Sequence, residues 1–263
     1  MNHKSNLKNN LLFSVAYQIF VMVLPFVLTP YLSRVLNPAD YGAYNHANSF
    51  ACYFVLFMML GVNSYWTREI AKVKDNRIKL SNTFWQIYYI QFFLAIIGII
   101  IYAITVKLLG LDSYLYYIQI LYLASVFFDV NWYAFGIEEF QKTTTRFAIM
   151  KILTILSIFI LVKKEEDIWI YALIMTASVV ISLFFVWPMV FQNTYWEKPN
   201  FATITKHIKP DVVLLIPIIA GSVFSYLDNL MIGFMCDIED VAYYSYANSL
   251  PNMLLGITTG VTS

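Results

Sequence analysis

The chain has 263 residues, of which 60% are hydrophobic, 18% aromatic and only 13% charged, with a formal net charge of +1. That balance excludes an ordinary water-soluble domain of this length. Two cysteines, Cys52 and Cys236, lie in or beside apolar runs without metal-ligand spacing, which excludes a disulfide framework and reads as buried thiols.

Apolar runs fall at about 11–32, 43–65, 83–106, 114–137, 147–162, 168–191 and 211–236, and an eighth begins near Val241. Most are long enough to cross about 30 Å of hydrocarbon at about 1.5 Å per helical residue. All exceed a barrel strand and lack its alternation of polar and apolar residues, so the fold class is all-α, a polytopic membrane protein. The opening MNHKSNLKNN is basic and polar, but the run behind it is too long for a signal peptide and no small-x-small cleavage site follows, so it reads as an uncleaved first span. Pro25 and Pro30 in the first span and Pro217 in the seventh remove backbone donors and are expected helix kinks.

Basic residues alternate along the chain. Lys4 and Lys8 precede the first span; Arg68, Lys72, Lys74, Arg77 and Lys79 follow the second; Lys142, Arg146 and Lys151 follow the fourth; Lys198, Lys206 and Lys209 follow the sixth. The intervening loops hold only Arg34, Lys107, Lys163 and Lys164, so the positive-inside rule places the N-terminus and the even-numbered loops in the cytoplasm. The same clusters suit anionic membrane lipids. Because they follow topology and not one face, nucleic acid is not an expected partner.

The stretch DYGAYNHANSF, Asp40 to Phe50, is echoed by DVAYYSYANSL, Asp240 to Leu250, with Asp, Tyr, Ala, Asn and Ser in the same order. Both copies sit at the external turn after an outward-going span. The repeating unit is therefore six helices long, and an even number of spans makes the two units parallel, related by an axis along the membrane normal. Residues 1–200 read as a first six-helix unit and 201–263 as the start of a second, which leaves that second unit expected to be incomplete.

The stretches LPFVLTPYLSRVLNPADYGAYNHANSF and GVNSYWTREIAKVKD, with SYLDNLMIG and AYYSYANSL further on, resemble bacterial polysaccharide repeat-unit flippases. These are the O-antigen transporters of the multidrug/oligosaccharidyl-lipid/polysaccharide exporter superfamily. Asn37 stands before Pro38 where that family usually has Gly. The resemblance implies two six-helix bundles working by alternating access in the bacterial inner membrane. It implies a substrate of oligosaccharide on undecaprenyl diphosphate, and the polysaccharide polymerase and chain-length machinery as partners. It implies no cofactor and no catalytic chemistry.

Intramembrane acids mark functional candidates, since charge there is costly. Asp129 in SVFFDVNWY, with Ser125 and Tyr133 one turn away on the same helical face, and Asp228 in FSYLDNLMIG are assigned to ion coupling or to pairing with a basic group. Arg34 and Arg68 fall within the resembling motifs and offer planar forks suited to phosphate. Asn48 in the first copy and Asn248 in the second could hydrogen-bond sugars or each other. Lys151 is expected to snorkel, and most of the twenty tyrosines and six tryptophans to form interfacial belts. Two rival readings stand beside the flippase. One is a drug or cation exporter of the same superfamily; the other, a membrane-embedded polymerase or glycosyltransferase, would need a large external catalytic loop where only short ones such as LLGLDS and KKEEDI occur. No HExxH, GxSxG or phosphate-cradling glycine loop is present.

Overall fold

The computed structural model describes residues 24–59, 62–198, 221 and 226–249, and every regular element among them is helical. In chain order these are α1 (24–35), α2 (Pro38–Met59), α3 (Val62–Val73), α4 (Arg77–Leu108), α5 (Tyr114–Ala124), α6 (Asn131–Gly136), α7 (Phe140–Leu161), α8 (Ile168–Phe184), α9 (Trp187–Asn193), α10 (226–235) and α11 (238–249). Among the described residues, four stretches are long and apolar enough to cross a membrane: Arg77–Leu108, Tyr114–Gly136, Lys142–Leu161 and Glu165–Asn193. The protein is a multi-pass membrane protein. These four coincide with the third to sixth expected spans, except that α7 begins at Phe140, earlier than the apolar run, because its first turns carry Lys142 and Arg146. The second expected span takes in most of α2 and the start of α3, and its residues 60–61 lie outside the described residues. Most of the first and seventh spans and the end of the eighth, with Pro217, lie outside the described residues.

Local chemistry sets the helix boundaries. Asn37 accepts the Ala39 N–H on its Oδ1 at 2.9 Å, and Pro38, which has no N–H to satisfy, takes the first helical position of α2. The departure from Gly before Pro38 thus supplies a cap. Asn76 caps α4 by accepting from Lys79 N at 3.1 Å. Pro25 and Pro30 both lie in α1, and the chain breaks at Leu36 and Asn37. A second break, at Cys236 and Asp237, separates α10 from α11 at the same offset as the matched sequences.

The two matched helices touch. A side chain at Gly42 of α2 would overlap the Ile238 carbonyl and press on the Ala242 backbone of α11, so glycine is what lets the backbones approach. Gly42 and Ala242 are matched positions in the two copies. Beside them, Tyr41 stacks on Tyr246 with ring centroids 4.8 Å apart and planes within 5°.

Two cores fill the bundle. One joins α1, α2, α4, α5 and α8 through Leu32, Tyr44, Ala47, Tyr102, Leu123 and Tyr171. The other gathers Trp66, Phe84, Trp85, Trp132, Tyr133 and Trp187 from α3, α4, α6 and α9. Phe84 stacks on Trp132 at 5.3 Å, and Trp187 meets Tyr88 edge to face at 5.1 Å. Four of the six tryptophans are therefore core residues, and Trp169 and Trp196 remain exposed as a belt would require. At the same end Arg77 holds the chain after α9, donating to Gln192 O at 2.8 Å and Asn193 O at 3.2 Å and lying 4.0 Å from the centre of the Tyr195 ring.

Gly42→Leu is expected to destabilise the purified protein by about 1–3 kcal/mol through overpacking against α11, measured by its midpoint of unfolding in mixed micelles.

Candidate functional site

The span holding Asp129 is not a continuous helix. α5 ends at Ala124, a 3-10 turn covers Ser125–Phe128, Asp129 is extended, and α6 restarts at Asn131. Hydrocarbon tolerates such a break only where protein groups satisfy the freed backbone, and here they do. Gln91 of α4 donates its Nε2 to Val126 O at 2.5 Å and to Asp129 O at 2.8 Å. The Trp132 indole donates to Gln91 Oε1 at 3.0 Å and to Asp129 O at 3.1 Å, and the Trp187 indole to Phe128 O at 3.3 Å. Asp129 Oδ1 accepts the Asn131 N–H at 3.1 Å and its Nδ2 at 2.8 Å, so the carboxylate closes an Asx turn onto the first residue of α6. Arg146 of α7 donates to Asn131 Oδ1 at 2.9 Å, so the acid reaches a cation through one intervening amide. The expected single face with Ser125 and Tyr133 does not exist, because the break turns the chain between them.

A second polar site lies where α2, α5 and α8 meet α10. A cavity of about 270 Å³ is lined by Tyr44, Asn48, Cys52, Tyr122, Met175, Thr176, Val179 and Tyr226. Beside it α2 meets α10 through the edge-to-face pair of Tyr53 and Tyr226, centroids 6.0 Å apart, and through Asn229, which donates to Ser49 Oγ at 3.1 Å. Below it His46 Nδ1 and the Tyr116 hydroxyl are 2.5 Å apart, and Gly233 and Phe234 of α10 pack against the His46 ring.

The remaining expected residues are dispersed. Arg34 and Arg68 are both exposed. Arg34 closes α1 near the Val162 end of the bundle, to which Tyr31 is tied by a 2.6 Å bond to Val162 O. Arg68 lies at the opposite end, on α3 beside the 2.6 Å Lys72–Glu69 pair. The two arginines do not share a site. Asp228 is exposed and accepts a hydrogen bond from the Tyr244 hydroxyl, which joins α10 to α11. Asn248 is half-buried on α11 and, among the described residues, is not one of those lining the Asn48 cavity. Pro25 and Pro30 lie within α1. Cys52 is buried with its Sγ 3.8 Å from the Tyr122 hydroxyl, whereas Cys236, expected to be buried, is exposed at the break before α11.

Three features did not stand out in the sequence. Gln91 is one polar residue in the run YYIQFF, and only the break opposite it gives the residue meaning. A cleft of about 900 Å³ opens between α7 and the α8–α9 corner, with Lys142 and Arg146 on its wall. Lys151 lines a separate cavity of about 260 Å³ with Thr154, Ser178 and Ser182, between α7 and α8, about 14 Å of helix beyond Lys142. At the loop end, Glu138 bonds Lys74 at 2.7 Å and holds its ammonium above the ordinary value of 10.5.

Gln91→Leu is expected to strip Val126 O and Asp129 O of their shared side-chain donor, leaving them the Asp129 N–H at 3.3 Å and the Trp132 indole at 3.1 Å, and to loosen the turn around Asp129. The loss is about 1–3 kcal/mol, checked by unfolding of the purified variant and by faster amide exchange at residues 124–131.

A family described as Polysaccharide biosynthesis protein matches the chain over residues 7–263. A curated protein of Escherichia coli (strain K12) named "Putative O-antigen transporter" is 22% identical over 268 residues, covering 99% of this chain and 64% of that protein. The chain thus spans less than two thirds of that relative's length. No solved structure matches the chain.

Proposed function

The chain belongs to the family described as Polysaccharide biosynthesis protein, and from that premise we propose that it forms part of a transporter, not an enzyme. Its cargo is a lipid-linked oligosaccharide, the repeat unit of an O-antigen, capsule or similar polysaccharide carried on undecaprenyl diphosphate. It moves this cargo from the inner to the outer leaflet of the bacterial inner membrane, with its N-terminus in the cytoplasm. The relative named as an O-antigen transporter supports the class of cargo.

The observation that carries the reading is the Asn48 cavity. Sugars cross hydrocarbon only where polar groups replace water, since each unsatisfied polar group costs several kcal/mol. Asn48, Thr176 and the hydroxyls of Tyr44, Tyr122 and Tyr226 supply donors, acceptors and aromatic faces on α2, α5, α8 and α10. Residues 1–200 act as one six-helix unit and 201–263 as the opening of its parallel partner. The small contact of Gly42 with Ala242 and Ile238 is the place where the units rock between inward-open and outward-open states.

Within this reading Asn48 and Asn248 meet the sugars, and Arg68 draws the diphosphate to the cytoplasmic mouth, with Arg34 at its outer counterpart. Asp228 carries the coupling, exchanging its Tyr244 bond during the cycle. Asp129 holds the broken span in shape through Asn131 and Arg146. The polymerase and chain-length machinery take over the product at the outer face.

The test is complementation of a bacterial strain lacking its repeat-unit flippase, with surface polysaccharide as readout and membrane insertion verified. Asn48→Leu in the intact protein is expected to lower surface polysaccharide at least about tenfold, by replacing a hydrogen-bonding partner with an apolar one, and normal polysaccharide would refute the cavity's role. Asp228→Asn is expected to abolish or uncouple transport without preventing insertion. Arg68→Ala is expected to raise the substrate concentration needed for half-maximal transport.

A further inference from the structure

The cleft between α7 and the α8–α9 corner has the layout of a lipid site. Lys142, Arg146, Ile149 and Leu153 recur at i, i+4, i+7 and i+11, which places them on one face of α7. That face is cationic for its first turn and apolar beyond it. Phe185 and Met189 form the facing wall and Gln192 lies at the cationic end. Ile149, Leu153 and Phe185 are 52%, 50% and 59% exposed, so the apolar lane is open at its side and is reached from the bilayer, not from the Asn48 cavity. We propose that this cleft binds an anionic phospholipid of the cytoplasmic leaflet. Its phosphodiester meets Lys142 and Arg146, and its acyl chain lies along Ile149, Leu153 and Phe185.

The Arg146 side chain is already aimed. Its Nη2 is held by Asn131 at 2.9 Å and its guanidinium lies 4.7 Å from the centre of the Phe147 ring, while its Nε–H is buried with no acceptor. An anion arriving there finds a cation whose conformational entropy has already been spent on the Asp129 break. The charge is modest, because Glu139 bonds Lys142 at 2.9 Å and the Asp129 carboxylate lies behind Asn131. A single phosphodiester suits it better than a diphosphate. Basic pockets between transmembrane helices on the cytoplasmic side bind lipid head groups by the same logic. Lipid bound here would also brace α7, which packs mainly against α8 and, less, against α6.

Only the sidedness rests on the transporter reading. Binding is measured without transport, so failure here leaves that reading untouched. The purified protein would be titrated in detergent with phosphatidylglycerol, phosphatidylcholine, a polyprenyl diphosphate and inorganic pyrophosphate, with bound lipid counted by native mass spectrometry. Phosphatidylglycerol is expected to bind in preference to the other three. Lys142→Gln is expected to weaken it about fivefold. Thr145→Glu, which puts a carboxylate on the exposed rim and leaves the Arg146–Asn131 bond alone, is expected to weaken it at least as much, and Arg146→Lys to retain most of it. Equal retention of phosphatidylcholine, stronger binding of either diphosphate, or phosphatidylglycerol binding that survives both Lys142→Gln and Thr145→Glu would overturn the proposal.

Discussion

Backbone hydrogen bonding inside hydrocarbon is the constraint on which the rest of this structure depends. A helix that stops within the membrane leaves carbonyls and N–H groups that water cannot reach. The chain stops one at Ala124 and restarts it at Asn131, and a group of side chains from three other helices converges to make that possible. Gln91 answers the Val126 and Asp129 carbonyls, the Trp132 indole shares the second of these, the Trp187 indole answers Phe128 O, and Asp129 answers the Asn131 N–H. The aromatic core of Trp66, Phe84, Trp132 and Trp187 packs around this repair.

That arrangement changes the meaning of the charges. An acid within a span is costly alone, but Asp129 is connected through Asn131 to Arg146, and Arg146 in turn faces a cleft open to the bilayer. Structural repair and ligand recognition therefore share one arginine. At the other polar site the logic is reversed: among the described residues the Asn48 cavity has no carboxylate or ammonium in its wall, and its polar groups are an amide, hydroxyls and a thiol. Such a lining can follow a neutral sugar chain without binding any one charge tightly, as the proposed transport would require.

Length and hydropathy were enough to read the architecture from the sequence, because crossing 30 Å of hydrocarbon needs about twenty apolar residues whatever their order. The third to sixth spans lie where those runs fall. The echo between 40–50 and 240–250 pairs α2 with α11 by sequence, and the breaks at Leu36 and Cys236 fall at the same offset. Side-chain roles were harder to read. Asp129 drew notice as a charge, but its role depends on Gln91, 38 residues earlier, and on Arg146, 15 residues later than its bonding partner. Tryptophan belongs equally in a belt or a core, and composition does not distinguish them; only the meeting of α3, α4, α6 and α9 does. Arg34 and Arg68 shared a motif-rich region in sequence yet lie at opposite ends of the bundle, since the helix between them spans its height.

The central claim is that α2 and α11 move against each other during export. Its most direct measurement is a reversible lock: Tyr41→Cys with Tyr246→Cys in the intact protein, where the native rings stack with centroids 4.8 Å apart, bridged by a reducible bifunctional thiol reagent long enough to replace the two rings, with surface polysaccharide followed in cells before and after the bridge forms. Export is expected to stop when the pair is cross-linked and to return on reduction. Export that continues at its full rate with the two helices locked together would contradict the account.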